Sequence, residues 1–209
     1  MRTWLDALHL LDSAFPTGAF VHSLGLESLA PTNLEAALAS RLEESLARFE
    51  LVFVLHARTG DLLELDDRMH AMLLARELRL ASSVVGTSLL RAACDLLTDS
   101  RLDDFLHAGQ HHHQPVVFGA VTAALELAPE LAAQAYAFSS LRSQVSAAQR
   151  LGWLGQREAQ HVLHRLKPAV RAAVAVAAQL SLEDAGAFTP AWDIASMQHE
   201  VARMRLFAS

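Results

Sequence analysis

The chain has 209 residues, of which 52% are hydrophobic and 19% charged, and its formal net charge is −6. A chain this rich in Ala and Leu buries a core and is not disordered. An acidic balance with no basic stripe excludes a nucleic-acid footprint, and the lone Cys94 excludes an intramolecular disulfide framework.

Cys94 sits in the apolar run Leu89-Leu90-Arg91-Ala92-Ala93-Cys94 and reads as a buried structural thiol. Asp6 and Asp12 interrupt any apolar N-terminal region, so no signal peptide is expected. The apolar stretch from Ala172 to Leu180 falls well short of the ~20 residues that span a bilayer. The expected location is the cytoplasm, with no membrane contact.

The elements read as helix after helix. Trp4, Leu5, Leu8 and Leu11 form a helical face, which Pro16 and Gly18 end. Helix resumes near His22 and stops at Pro31. Thr32 through Glu35 looks like a capping box, with Thr32 as N-cap. Leu34, Leu38, Leu42, Leu46, Phe49 and Phe53 then make a long helical stripe.

Asp66 or Asp67 is placed to cap the next long segment, through Leu73, Leu74 and Leu78. Gly86 inside that segment either weakens it or admits a neighbouring backbone. Ser100 opens a short helix, and Pro115, Pro129 and Pro168 are each read as first-turn prolines. The Pro129 helix is expected to run to about Arg150, followed by a loop bounded by Gly152 and Gly155 and a helix over 157–166. Beyond Leu180 the chain turns irregular. Ile194, Met197, Val201, Met204 and Phe207 recur at helical spacing, giving a stripe that needs a groove to bury it. The expected fold is an all-α, compact bundle of about eight to ten helices, one domain over 1–209, with 191–209 as a partner-docking tail.

Catalytic signatures are poor. No serine stands in a nucleophile elbow, and there is no phosphate-binding glycine loop. Eleven histidines invite a metal reading, and His107, His111, His112 and His113 are the densest group. Three consecutive histidines on a helix point about 100° apart and cannot all reach one ion. A structural histidine-rich turn is therefore preferred, with His111, His112 and His113 kept as the candidates for metal contact. His161 and His164 read as a solvated pair.

The segment from Leu10 to Glu27 resembles the signature of the urease accessory protein F family (UreF). Ser13, Pro16, Gly18, Phe20, Ser23, Gly25, Leu26 and Glu27 match it at the right spacing. Three later blocks agree in order. They are Arg76-Glu77 through Gly86, His113 through Gly119, and a tail with Pro190, Asp193 through Ser196, His199-Glu200 and Arg205-Leu206-Phe207-Ala208-Ser209. Around the loop after the long helix, Arg150, Leu151, Leu154, Gly155 and Gln156 fit. Trp153 stands where the family carries proline, and Ala208 replaces a basic residue.

The resemblance implies an all-helical homodimer without a reaction of its own. It implies a bridge between a UreH-type protein (UreD in bacteria) and the GTPase UreG, serving nickel insertion into apo-urease. Glu27, Arg150, Gln156, His199, Arg205, Leu206 and Phe207 are the partner-binding candidates on this reading. Pro16, Gly18 and Gly25 shape the N-terminal turn. No tightly bound cofactor is expected; nickel would pass in transit. Two other classes stay open: a haem- or small-molecule-binding helical enzyme, with His22 as axial ligand, and a histidine-rich nickel metallochaperone.

Overall fold

The structure is a computed structural model that describes residues 25–200 together with Leu5, Leu8, His9, Asp12, Phe15 and Phe207. The described residues form helices and no strand: α1 (Leu26–Leu29), α2 (Leu34–Arg41), a π-helical stretch (Leu42–Glu50), α3 (Leu51–His56), α4 (Leu62–Met72), α5 (Arg76–Leu96), α6 (Ser100–Ala108), α7 (Gln114–Ala124), α8 (Pro129–Arg150), α9 (Gln156–Ala177) and α10 (Pro190–Glu200). The all-α bundle expected from the sequence is borne out.

Residues 34–56 run as one rod with a π segment in the middle. The stripe explains it. A four-residue repeat drifts about 40° per step on a 3.6-residue helix. A π turn closes over more residues and turns the drift back. Leu38, Leu42, Leu46, Phe49 and Phe53 therefore all face the core, each at most 4% exposed. This rod packs on α7, α8 and α9, whose apolar faces complete the centre of the bundle.

Local signals were displaced in several places. The α2 N-cap is Asn33, whose Oδ1 accepts from Ala36 N at 3.0 Å, and not Thr32. Glu35 accepts instead from Arg165 on α9. Asp61 caps α4, so Asp66 and Asp67 lie inside that helix and do not start the next one. Pro168 does not start a helix; it lies within α9 on an exposed face, where the lost N–H and the ring can be relieved toward water. Leu5 and Leu8, expected on a packing face, are exposed.

The close approach at Gly86 is real. A Cβ there would lie 1.9 Å from the carbonyl oxygen of His112, so the loop before α7 runs directly over α5. Arg101 closes another junction by donating to the carbonyls of Ala57 (2.8 Å), Arg58 (3.2 Å) and Gly60 (2.5 Å), at the C-terminus of α3.

Candidate functional site

Two junctions gather several of the buried polar residues. The first fastens α10. Gly25 has φ 86°, and a Cβ there would sit 3.1 Å from both Ser196 N and Trp192 O, so the turn before α1 presses backbone to backbone on α10. Beside it, His199 is 1% exposed. Its Nδ1 lies 2.8 Å from Glu77 Oε1 and its Nε2 lies 3.0 Å from Glu27 Oε2. An ionised carboxylate only accepts, so with both glutamates ionised both ring nitrogens donate. One helical position further on, Arg76 donates to Glu200 at 2.8 Å on the exposed side.

The same junction ends at α8. The Arg150 guanidinium lies 4.4 Å from the centroid of the Phe207 ring, and Phe207 is 5% exposed. Among the partner-binding candidates the structure thus brings Glu27 to His199 and Arg150 to Phe207. Gln156 is exposed at the start of α9, where its Oε1 accepts from Gln149 at 3.4 Å. Arg205, Leu206, Pro16, Gly18 and His22 lie outside the described residues.

The expected tail stripe is rotated. Trp192, Ala195, Ser196 and His199 are the buried face of α10, whereas Ile194 and Met197 point outward. The reason is polar: Glu27 and Glu77 demand the imidazole, and burying His199 turns the helix away from the purely apolar seam. The groove for this first half of the tail is on its own bundle.

A cavity of about 440 Å³ opens beside α10. Arg41, Glu50, Tyr136, Arg142, Trp192 and Asp193 reach it, along with apolar side chains of α4, α5 and α7. Tyr136 donates to Glu50 at 2.7 Å, and its burial pushes the phenol upward. Arg41 lies 4.9 Å from the centroid of the Trp192 ring. Burial also raises the Asp193 carboxyl, partly countered by the Arg41 charge.

The second junction is the histidine turn. Asp66, 1% exposed, accepts from the backbone N–H groups of His111 (3.0 Å), His112 (2.7 Å) and His113 (2.7 Å). It clamps the loop that leads into α7, and the first N–H of that helix, from Gln114, donates instead to Ser82 Oγ at 3.1 Å. The three rings diverge. His112 packs edge-on against Phe105 and contacts its carbonyl, His111 stacks on His70, and His113 is buried against His70. Among the described residues no group of three or more His, Cys, Asp or Glu side chains is arranged to hold a metal ion. His107 contacts Asp103 O at 2.7 Å, and His161 and His164 are exposed. The Cys94 thiol is part-buried, and burial and Asp103 raise it to about 11, which keeps it protonated and inert.

Sequence reasoning missed Glu77, Asp66 and His70 as polar partners. Glu77 was visible only as part of a motif block. Nothing local in the sequence signals that Asp66 holds a loop 45 residues on.

Residues 30–167 match the family model described as UreF. The chain is 36% identical over 214 residues to the urease accessory protein UreF of Paenarthrobacter aurescens (strain TC1), covering 96% of this chain and 95% of that protein. It is 34% identical to the urease accessory protein UreF of Arthrobacter sp. (strain FB24), covering 96% and 94% respectively. Against that of Trichodesmium erythraeum (strain IMS101) the identity is 33%, with 98% and 96% covered. The residue blocks that fasten α10, the helical bundle and these near-full-length relatives agree, and the chain belongs to the UreF family of urease accessory proteins.

Proposed function

We propose that this protein is a non-catalytic urease maturation factor, bridging a UreH/UreD-type accessory protein and the GTPase UreG while nickel is delivered as cargo to apo-urease. The coarse part, a role in urease maturation, follows from family membership. The observation that carries the finer part is the junction itself. Glu27, Glu77 and His199 come from three distant motif blocks and meet in one hydrogen-bonded group, while Gly25 beside them lets the turn pack on α10 at Trp192 and Ser196. Such residues hold a shape; they present no reacting group to solvent. A shape held this firmly suits a protein whose output is an interface.

On this reading the UreG side includes Arg150 and Glu27, with exposed Gln156 and Trp153 at the same end of α8 and α9. The UreH/UreD side includes Arg205, Leu206 and Phe207, together with the outward Ile194 and Met197. The homodimer belongs to the same proposal. Leu80 and Val84 lie one turn apart on α5 and are 52% and 55% exposed, the kind of apolar stripe that a second copy covers. Among the described residues no helix is long and apolar enough to cross a membrane. The cytoplasm is the compartment in which this work would be done.

Co-expression with the urease subunits and the other accessory proteins tests the reading. An affinity tag on the UreH/UreD-type protein should retain this chain and, through it, UreG, and urease should gain activity only when all are present. Retention of UreG without this chain would overturn the bridge.

A further inference from the structure

We propose that the solvent face of α9, built on Arg157, His161, His164, Lys167 and Arg171, is a docking surface for a protein partner that carries a row of carboxylates at helical spacing. The inference stands on the charge pattern of this face and does not require the bridging role.

All five side chains are exposed. On a 3.6-residue helix they fall within about a third of the circumference and span about 21 Å along the axis. The opposite face of α9 carries Val162, Leu166, Val170 and Ala173, which are buried in the bundle, so packing fixes the direction in which the charged face points. Along the sequence no basic stripe stands out, because the residues of the buried face separate its members. The helix gathers them on one side.

The charges on this face are not spent inside the protein. α9 holds four permanent cations and one carboxylate, Glu158, in a chain whose net charge is −6. That carboxylate is already taken. Glu158 accepts from Arg165 at 3.0 Å, and Glu35 of α2 accepts from the same guanidinium at 2.9 Å. Among the described residues the five members of the stripe make no ion pair and no side-chain hydrogen bond. Lys167 and Arg171 stand four residues apart, where like charges repel. The free chain carries this repulsion, and an acidic partner relieves it.

Charge complementarity sets the class of partner. Carboxylates on one face of a helix recur every three or four residues, which is the spacing of the stripe. An Arg fork grips a carboxylate through two parallel hydrogen bonds. An imidazole N–H donates to one in either protonation state. Pro168 and Ala172, exposed among the charges, are small and let a partner backbone approach. A nucleic acid or an anionic membrane fits less well. The net charge of −6 repels a polyanion at long range, and α9 has no Phe, Tyr or Trp to stack on a base or enter a headgroup layer.

The test uses the full-length protein and a labelled alanine-based helical peptide with Glu at successive spacings of three and four residues. Fluorescence anisotropy at low salt should show saturable binding of one peptide per chain, weakened as salt is raised. The same peptide with Gln in place of Glu should bind at least about tenfold more weakly, since each exposed charge pair adds only a little. The triple variant Arg157→Gln, Lys167→Gln, Arg171→Gln should lose binding to a similar degree while keeping the wild-type melting temperature. Arg91→Gln, on the exposed side of α5, should bind as wild type does. In wild-type protein the Glu peptide should shift the imidazole resonances of His161 and His164 before those of any other histidine. This measurement decides the matter even if the triple variant fails to fold. Undiminished binding by a folded triple variant, first shifts at other histidines, or no saturable binding would each overturn the surface. Tighter binding to a short DNA duplex or to phosphatidylserine vesicles than to the Glu peptide would overturn the class of partner.

Discussion

His199 and Glu77 are separated by 122 residues in the chain and by 2.8 Å in the fold. The contact joins the start of α5 to the end of α10, and Glu27 closes it from the other side of the ring. Removing the imidazole takes away the group that both carboxylates share, and Glu77 is buried. His199→Ala should therefore destabilise the protein by about 1–3 kcal/mol, as expected when a buried hydrogen-bonding group loses its partner. Urea unfolding measures it. A loss below about 1 kcal/mol would mean that water takes over both carboxylates and that the junction holds little.

The glycines give a contrast within one protein. At Gly86 a methyl group would meet His112 O at 1.9 Å, whereas at Gly155 nothing lies within 4 Å. Gly86→Ala should cost more than about 2 kcal/mol through forced separation of α5 from the histidine loop. Gly155→Ala should fall within about 0.5 kcal/mol of wild type. Paired denaturation midpoints check the difference. Comparable losses would show that the loop can lift off α5 at no cost.

Acid should weaken the fold through the histidine turn. Burial depresses His113 to about 3 in the folded protein, from an ordinary value near 6.5. Between these values the unfolded chain binds the proton and the folded chain does not. Stability from this group is thus complete above about pH 6.5 and falls as the pH drops toward 3, by up to about 1.4 kcal/mol per pH unit. His70 is lowered in the same direction and adds to the trend. His113→Gln should flatten the dependence between pH 7 and 5. An equally steep decline in that variant would assign acid sensitivity to other groups.

Truncation before Ser196 separates a structural tail from a purely partner-docking one. The sequence alone favours an unchanged melting temperature, since nothing before the tail visibly holds it. The structure reverses this. Ser196, His199 and Phe207 are all buried, so deleting 196–209 should lower the melting temperature by several degrees or more. Arg150→Ala is the gentler companion. It removes the contact over Phe207, costs about 0.5–1 kcal/mol, and on the proposed function also weakens urease activation. Full activation by a folded Arg150→Ala variant would remove Arg150 from the partner surface.

By itself the sequence determined the class of fold and much of its punctuation. Apolar periodicity placed the long rod and the Pro129–Arg150 helix, because a buried stripe is a local pattern written along one helix. Proline and glycine at 115, 129, 152 and 155 marked ends for equally local reasons of backbone geometry. The motif blocks around Gly25, Glu77 and His199 were legible as blocks, but not as one junction. Only the tertiary structure set Glu27 and Glu77 on the two sides of His199, because a buried charge is satisfied by whatever partner the packing brings, at any distance along the chain. The same reason moved Asp66 from a cap on its own neighbourhood to a clamp on the loop before α7, and turned α10 so that its histidine, and not Ile194 and Met197, faces inward.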